Sequence, residues 1–96
     1  MAVLHIEAKA SEGVKPPTPI LAIDGWVIHL TDGKGEVQLN GSCGDGSWHK
    51  LSYDIRGPEG ETLAVTVRCG DAEVCAFEVD IYTGTTASAG IVEFTL

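Results

Sequence analysis

The chain has 96 residues, 44% hydrophobic and 21% charged, which is enough for one folded domain with a single core and too few for two. Six basic residues stand against fourteen acidic ones, for a formal net charge of −8. That balance argues against sequence-independent nucleic-acid binding and against attraction to an anionic membrane, both of which need a cationic surface, and it suits a basic protein partner.

The opening segment, MAVLHIEAKA, lacks a basic stretch followed by an apolar run. No apolar run approaches the roughly 20 residues of a membrane span. Three cysteines is an odd count, unlike a disulfide framework, so the chain reads as cytoplasmic. Helical spacing is missing, and 12 Gly and 4 Pro punctuate short alternating segments instead.

In chain order, VLHIEA forms a first strand with Leu4, Ile6 and Ala8 inward. Residues 11–19, within SEGVKPPTPILA, read as a linker that its proline pair keeps extended. Strands are then expected near 25–31, 36–43, 47–56, 61–70 and 74–82, and IVEFTL supplies the last. A two-residue turn at Gly33-Lys34 would set Leu30 opposite Val37 and Ile28 opposite Leu39. The GDG at 44–46 would pair Leu39 with Leu51 and Val37 with Tyr53. In IRGPEGET, Pro58 and Gly60 suit a three-residue hairpin loop that sets Ile55 opposite Leu63, Tyr53 opposite Val65 and His49 opposite Cys69. A loop of Asp71, Ala72 and Glu73 would set Leu63 opposite Ile81, Val67 opposite Phe77 and Cys69 opposite Cys75. TGTTASAG, residues 83–90, reads as an irregular loop. The expectation is one all-β domain over residues 1–96, an antiparallel meander of about seven strands that is either barrel-like or a β-sandwich.

The cysteines offer the densest local chemistry. In this register Cys69 and Cys75 face each other on the core side, as apolar core thiols or as a disulfide pair. Cys43, His49, Cys69 and Cys75 together would supply Cys₃His zinc ligands. They would lie on four adjacent strands spaced about 4.8 Å apart, and no Cys-x-x-Cys pair is present, so no metal or other cofactor is expected. Glu78 and Asp80 would share a solvent face with Asp54, and read as a solvated surface. His5 and His29 stand among polar strand positions. The acidic turn at 32–36 lacks a calcium-loop ligand series.

Trp48 should point outward, opposite to His49. With Lys50 and Arg68 it forms the candidate binding set. The expected function is a non-catalytic acidic interaction module, an accessory subunit or small inhibitor of a larger, basic protein target. One alternative is a carbohydrate-binding or adhesion-type sandwich using Trp48, which calls for a second exposed aromatic nearby, either Trp26 or Tyr82. Another is a zinc-stabilised domain or enzyme built on the Cys/His end. An exposed sheet edge is also a route to a homodimer.

Overall fold

The computed structural model describes residues 1–10, 18–81, 84 and 86–96. Its strands are β1 (Ala2–Ala10), β2 (Thr18–Ile23), β3 (Trp26–Ile28), β4 (Lys34–Leu39), β5 (Trp48–Arg56), β6 (Thr62–Cys69), β7 (Ala72–Asp80) and β8 (Ala87–Thr95). They form two antiparallel sheets, ordered β4-β1-β6-β7 and β3-β2-β5-β8. The sheets pack face to face as a sandwich, and neither closes into a barrel.

The alternation in the sequence translates into burial. Leu4 and Ile6 of β1, Leu51 and Ile55 of β5, and Leu63, Val65 and Val67 of β6 are all buried in one core. Leu21 and Ile23 of β2 join them, both fully buried. Each such side chain contributes about 1.5–3 kcal/mol relative to exposure.

The strand partners differ from the expected meander. β1 lies between β4 and β6, with Leu4 opposite both Val37 and Cys69. β5 lies between β2 and β8, with Leu51 opposite Ile23 and Val92. Thus β4, β5 and β6 are not successive neighbours, and the loops carrying GDG and PEG cross between sheets. The expected pairings of Leu39 with Leu51, Ile55 with Leu63 and His49 with Cys69 are not formed. Alternation states which face a side chain occupies and leaves the neighbouring strand open, so two facing sheets bury the same set as a curled meander.

Two of the expected turns exist in shifted form. Asp32 and Gly33 make the turn before β4, one residue earlier than expected, and Thr31 and Lys34 form a bridge across it. β3 and β4 then part into different sheets. The β6–β7 hairpin forms two residues out of the expected register, with Leu63 opposite Val79, Val65 opposite Phe77 and Val67 opposite Cys75. A slip of two keeps every side chain on its face. A bulge between Val67 and Arg68 then sets Cys69 opposite Ala72 rather than Cys75. The expected linker ends in β2, an interior strand in which Pro19 stands opposite Ile55. β8 begins at Ala87, inside the stretch expected to be a loop.

The crossing from β3 to β4 needs Gly35. A Cβ there would lie 2.7 Å from the His29 carbonyl oxygen and 2.9 Å from Ile28 Cγ2. We expect Gly35→Ala to lower the unfolding free energy by about 1–3 kcal/mol, read from the urea midpoint.

A disulfide joins Cys43 to Cys69, with Cα atoms 5.7 Å apart, and Cys75 is a free, buried thiol. The expected Cys69–Cys75 pair is therefore corrected: the slip and bulge remove Cys75 from Cys69, and the β4–β5 crossing brings Cys43 to it. The bond closes a separation of 26 residues between that crossing and the end of β6. Reduction should cost about 2–5 kcal/mol of stability. Non-reducing digestion should yield one linked peptide pair containing Cys43 and Cys69, with Cys75 alkylated only after unfolding.

Candidate functional site at the Asp24–His49 end of the sandwich

Asp24 and Gly25 close the β2–β3 hairpin with φ of 51° and 85°, the mirror-image turn that Asp-Gly favours because both positions need positive φ. The turn sets Asp24 beside the start of β5. Its backbone N–H donates to the Lys50 carbonyl at 2.9 Å. Its carboxylate accepts from the Lys50 N–H at 3.0 Å and lies 2.6 Å from His49 Nδ1.

His49 occupies an inward position on β5 and is 9% exposed. Its ring lies 5.7 Å from that of Phe94 on β8, and its Nε2 is 2.8 Å from the Ser47 hydroxyl. Ser47 in turn donates through that hydroxyl to Asp45 Oδ1 at 2.6 Å. Asp45 also accepts from the backbone N–H groups of Ser47 and Ser42, at 2.9 and 3.0 Å. One chain of polar contacts thus runs from the β2–β3 turn through β5 to the 42–47 loop.

The electrostatics follow from these partners. Burial pushes the Asp24 carboxyl up, but the hydrogen bonds from His49 and the Lys50 backbone, and the charges of both residues, together hold it below its ordinary value. The Ser47 hydroxyl and the two backbone donors hold Asp45 at about 2.

Asp24, His49 and Ser47 are ordered like the acid, base and nucleophile of a hydrolytic triad. The hydrogen count opposes that chemistry. Ser47 has one hydroxyl hydrogen, and the ionised Asp45 carboxylate accepts it. Asp45 thus competes with Nε2 for that single hydrogen, unlike the arrangement of a triad, in which the hydroxyl faces the base alone. The Ser47 backbone N–H is also engaged by Asp45. These contacts tie the β2–β3 turn and the 42–47 loop to the start of β5.

Two shallow depressions flank this relay, and Asp24 and His49 line both. One, of about 330 Å³, adds Trp26, Gln38, Leu39 and Asn40. The other, of about 320 Å³, adds Trp48, Lys50 and Glu93. Trp26 and Trp48 are 70% and 72% exposed. The structure therefore places Trp48 and Lys50 together and separates Arg68 from them. Arg68 is exposed on β6 in the other sheet, 4.0 Å from Glu73, beside a depression of about 500 Å³ that His5 and Glu36 also line. His5 and Glu36 approach each other to 3.3 Å. Tyr82 lies outside the described residues.

The expected zinc set does not assemble. Cys43 and Cys69 are bonded to each other, His49 is engaged by Asp24 and Ser47, and Cys75 sits on β7. No group of three or more potential metal ligands occurs among the described residues. Burial, and then the Glu73 carboxylate, push the Cys75 thiol up, which makes it a poor nucleophile. The expected carboxylate face is also split: Asp54 belongs to β5, while Glu78 and Asp80 belong to β7, where Asp80 accepts from the Thr62 hydroxyl at 2.8 Å.

Asp24, Asp45 and Ser47 were not legible as site residues. Asp-Gly between ILAI and WVI is a strong hairpin signal and locates Asp24 at a turn. No spacing rule links that turn to His49, which is 25 residues away. No protein-family model matches the chain, and no curated protein or solved structure matches it significantly.

The relay makes loop stability acid-sensitive. Asp45 moves from an ordinary 3.8 to about 2 on folding, so its contribution is complete above the higher value and is lost as pH falls toward the lower. Thermal unfolding followed from pH 5 to pH 2 should show a steeper loss for the wild type than for Asp45→Asn.

Proposed function

We propose that the protein is a non-catalytic interaction module that docks a basic protein partner through the outer face of the β3-β2-β5-β8 sheet. The observation supporting this is the contrast between the two outer faces. On the other sheet, Glu36, His5, Arg68 and Glu73 form one cross-strand row, and Lys34, Glu7, Thr66 and Ala76 form the next. Such a face is well solvated. On the β3-β2-β5-β8 sheet the central row is Val27, Ala22, Ser52 and Ile91, uncharged across all four strands, with Asp54 in the row on one side and Lys50 and Glu93 in the row on the other.

Ile20, Val27 and Ile91 are 54%, 58% and 66% exposed on that sheet. Among the described residues, the large, strongly exposed apolar side chains other than Met1 all belong to it or to its turns. Large apolar side chains gathered around one uncharged row in water mark a contact surface, since covering them removes unfavourable hydration. The net charge of −8 supports a basic partner by steering its approach. An accessory subunit or a small inhibitor of a larger target fits this description. The Cys43–Cys69 bond favours an oxidising compartment over the cytoplasm. No described helix is long and apolar enough to cross a membrane.

Affinity capture with three baits tests the reading: wild type, Ile91→Lys, and Thr66→Lys as a control on the opposite face. A basic protein should be retained by wild type and control, lost about tenfold or more with Ile91→Lys, and weakened by salt. The absence of any partner that separates the baits overturns the proposal. So does a wild-type dimer that Ile91→Lys dissociates, which would make a second copy the occupant of this face.

A further inference from the structure

We infer that the Asp24–His49 end of the sandwich is a binding site for a neutral oligosaccharide whose pyranose rings carry equatorial hydroxyls. The inference goes beyond the sheet-face reading and does not depend on it. Trp26 stands opposite Ile23 and so occupies the inward side of its sheet at the open end of the sandwich. Trp48 precedes the inward-facing His49 and takes the outward side. The two indoles therefore approach the Asp24–His49 pair from different sides, each in its own depression, with that pair as the shared wall.

An indole face is flat and apolar and matches the C–H face that a pyranose with equatorial hydroxyls presents. The hydroxyls at the ring's rim then need hydrogen-bonding groups in the plane of the stack. Gln38 and Asn40 supply amides beside Trp26, and Lys50 and Glu93 supply charged groups beside Trp48. Asp24 serves both depressions. Its two oxygens are each held by one partner, His49 Nδ1 and the Lys50 N–H, and a carboxylate has about four acceptor positions. Acceptor capacity remains on a carboxylate that is already fixed in place, which lowers the ordering cost of binding.

The depressions, at about 330 and 320 Å³, fall at the small end of ligand clefts, which run from roughly 300 to 1,000 Å³. Each is sized for one or two sugar units rather than one large ligand. Charge selects among sugars. Asp24, Glu93 and the net charge of −8 outweigh Lys50 and disfavour uronates and sulfated glycans relative to neutral chains.

The chain contains two tryptophans, Trp26 and Trp48, and both line this site, so its indole fluorescence reports on it. We would titrate the full chain with cellotetraose and chitotetraose, and with tetragalacturonate as the acidic counterpart. The expected result is a saturable fluorescence change with at least one neutral tetrasaccharide and none with the acidic one. Trp26→Ala and Trp48→Ala should each weaken binding about tenfold, followed by calorimetry with folding verified by circular dichroism. Ile91→Lys should leave the titration unchanged, which separates this site from the sheet-face contact. No saturable change with either neutral probe overturns the inference, as does binding that survives both tryptophan substitutions or prefers the acidic probe.

Discussion

Two apolar sheet faces covering each other is the condition on which the rest of the molecule depends. Neither sheet could stay ordered alone, because Leu4, Ile6, Val65 and Val67 on one and Leu21, Ile23, Leu51 and Ile55 on the other share a single core. A 96-residue chain has no second place to bury them. Most strand connections therefore pass from one sheet to the other, and β2–β3 and β6–β7 remain as the local hairpins. The β4–β5 crossing carries Gly41, Gly44 and Gly46, the Cys43 half of the disulfide, and Asp45 and Ser47 of the polar relay.

That arrangement explains which parts of the fold were legible. Side-chain parity was: Leu51, Ile55, Leu63, Val65, Val67 and Val79 are inward, as their alternation requires. Strand partnership was not, because parity is unchanged when a strand moves to the opposite sheet with its apolar side still facing the core. The β6–β7 hairpin makes the same point on a smaller scale. Its register can slip by two residues without moving one side chain to the wrong face, and the bulge at Val67/Arg68 that settles the matter has no sequence signature. β2 was hidden by the prolines before it, although TPILAI ends in an Asp-Gly turn that calls for a strand on either side.

At the candidate site the same division holds. Trp48 outward and His49 inward follow from alternation along β5. The partnership of His49 with Asp24 depends on β2 lying beside β5, a long-range fact that no local pattern carries. The polar relay in turn makes the aromatic residues usable. Trp26 follows the Asp24 turn and Trp48 follows Ser47, so one set of hydrogen bonds fixes the segments that present both indoles. Exposed aromatics on loosely held loops would lose much of their contact energy to ordering.

The placement of β1 between β4 and β6 also governs how the chain can reach this structure. As the polypeptide leaves the ribosome, its first strand finds no lasting neighbour until residues 34–39 are available, and its inner partner arrives only at residues 62–69. The first sheet therefore cannot assemble in the order of synthesis. Its closure waits on contacts far apart along the chain, which places this molecule among slow-folding topologies and leaves β1 without its inner partner until β6 has emerged.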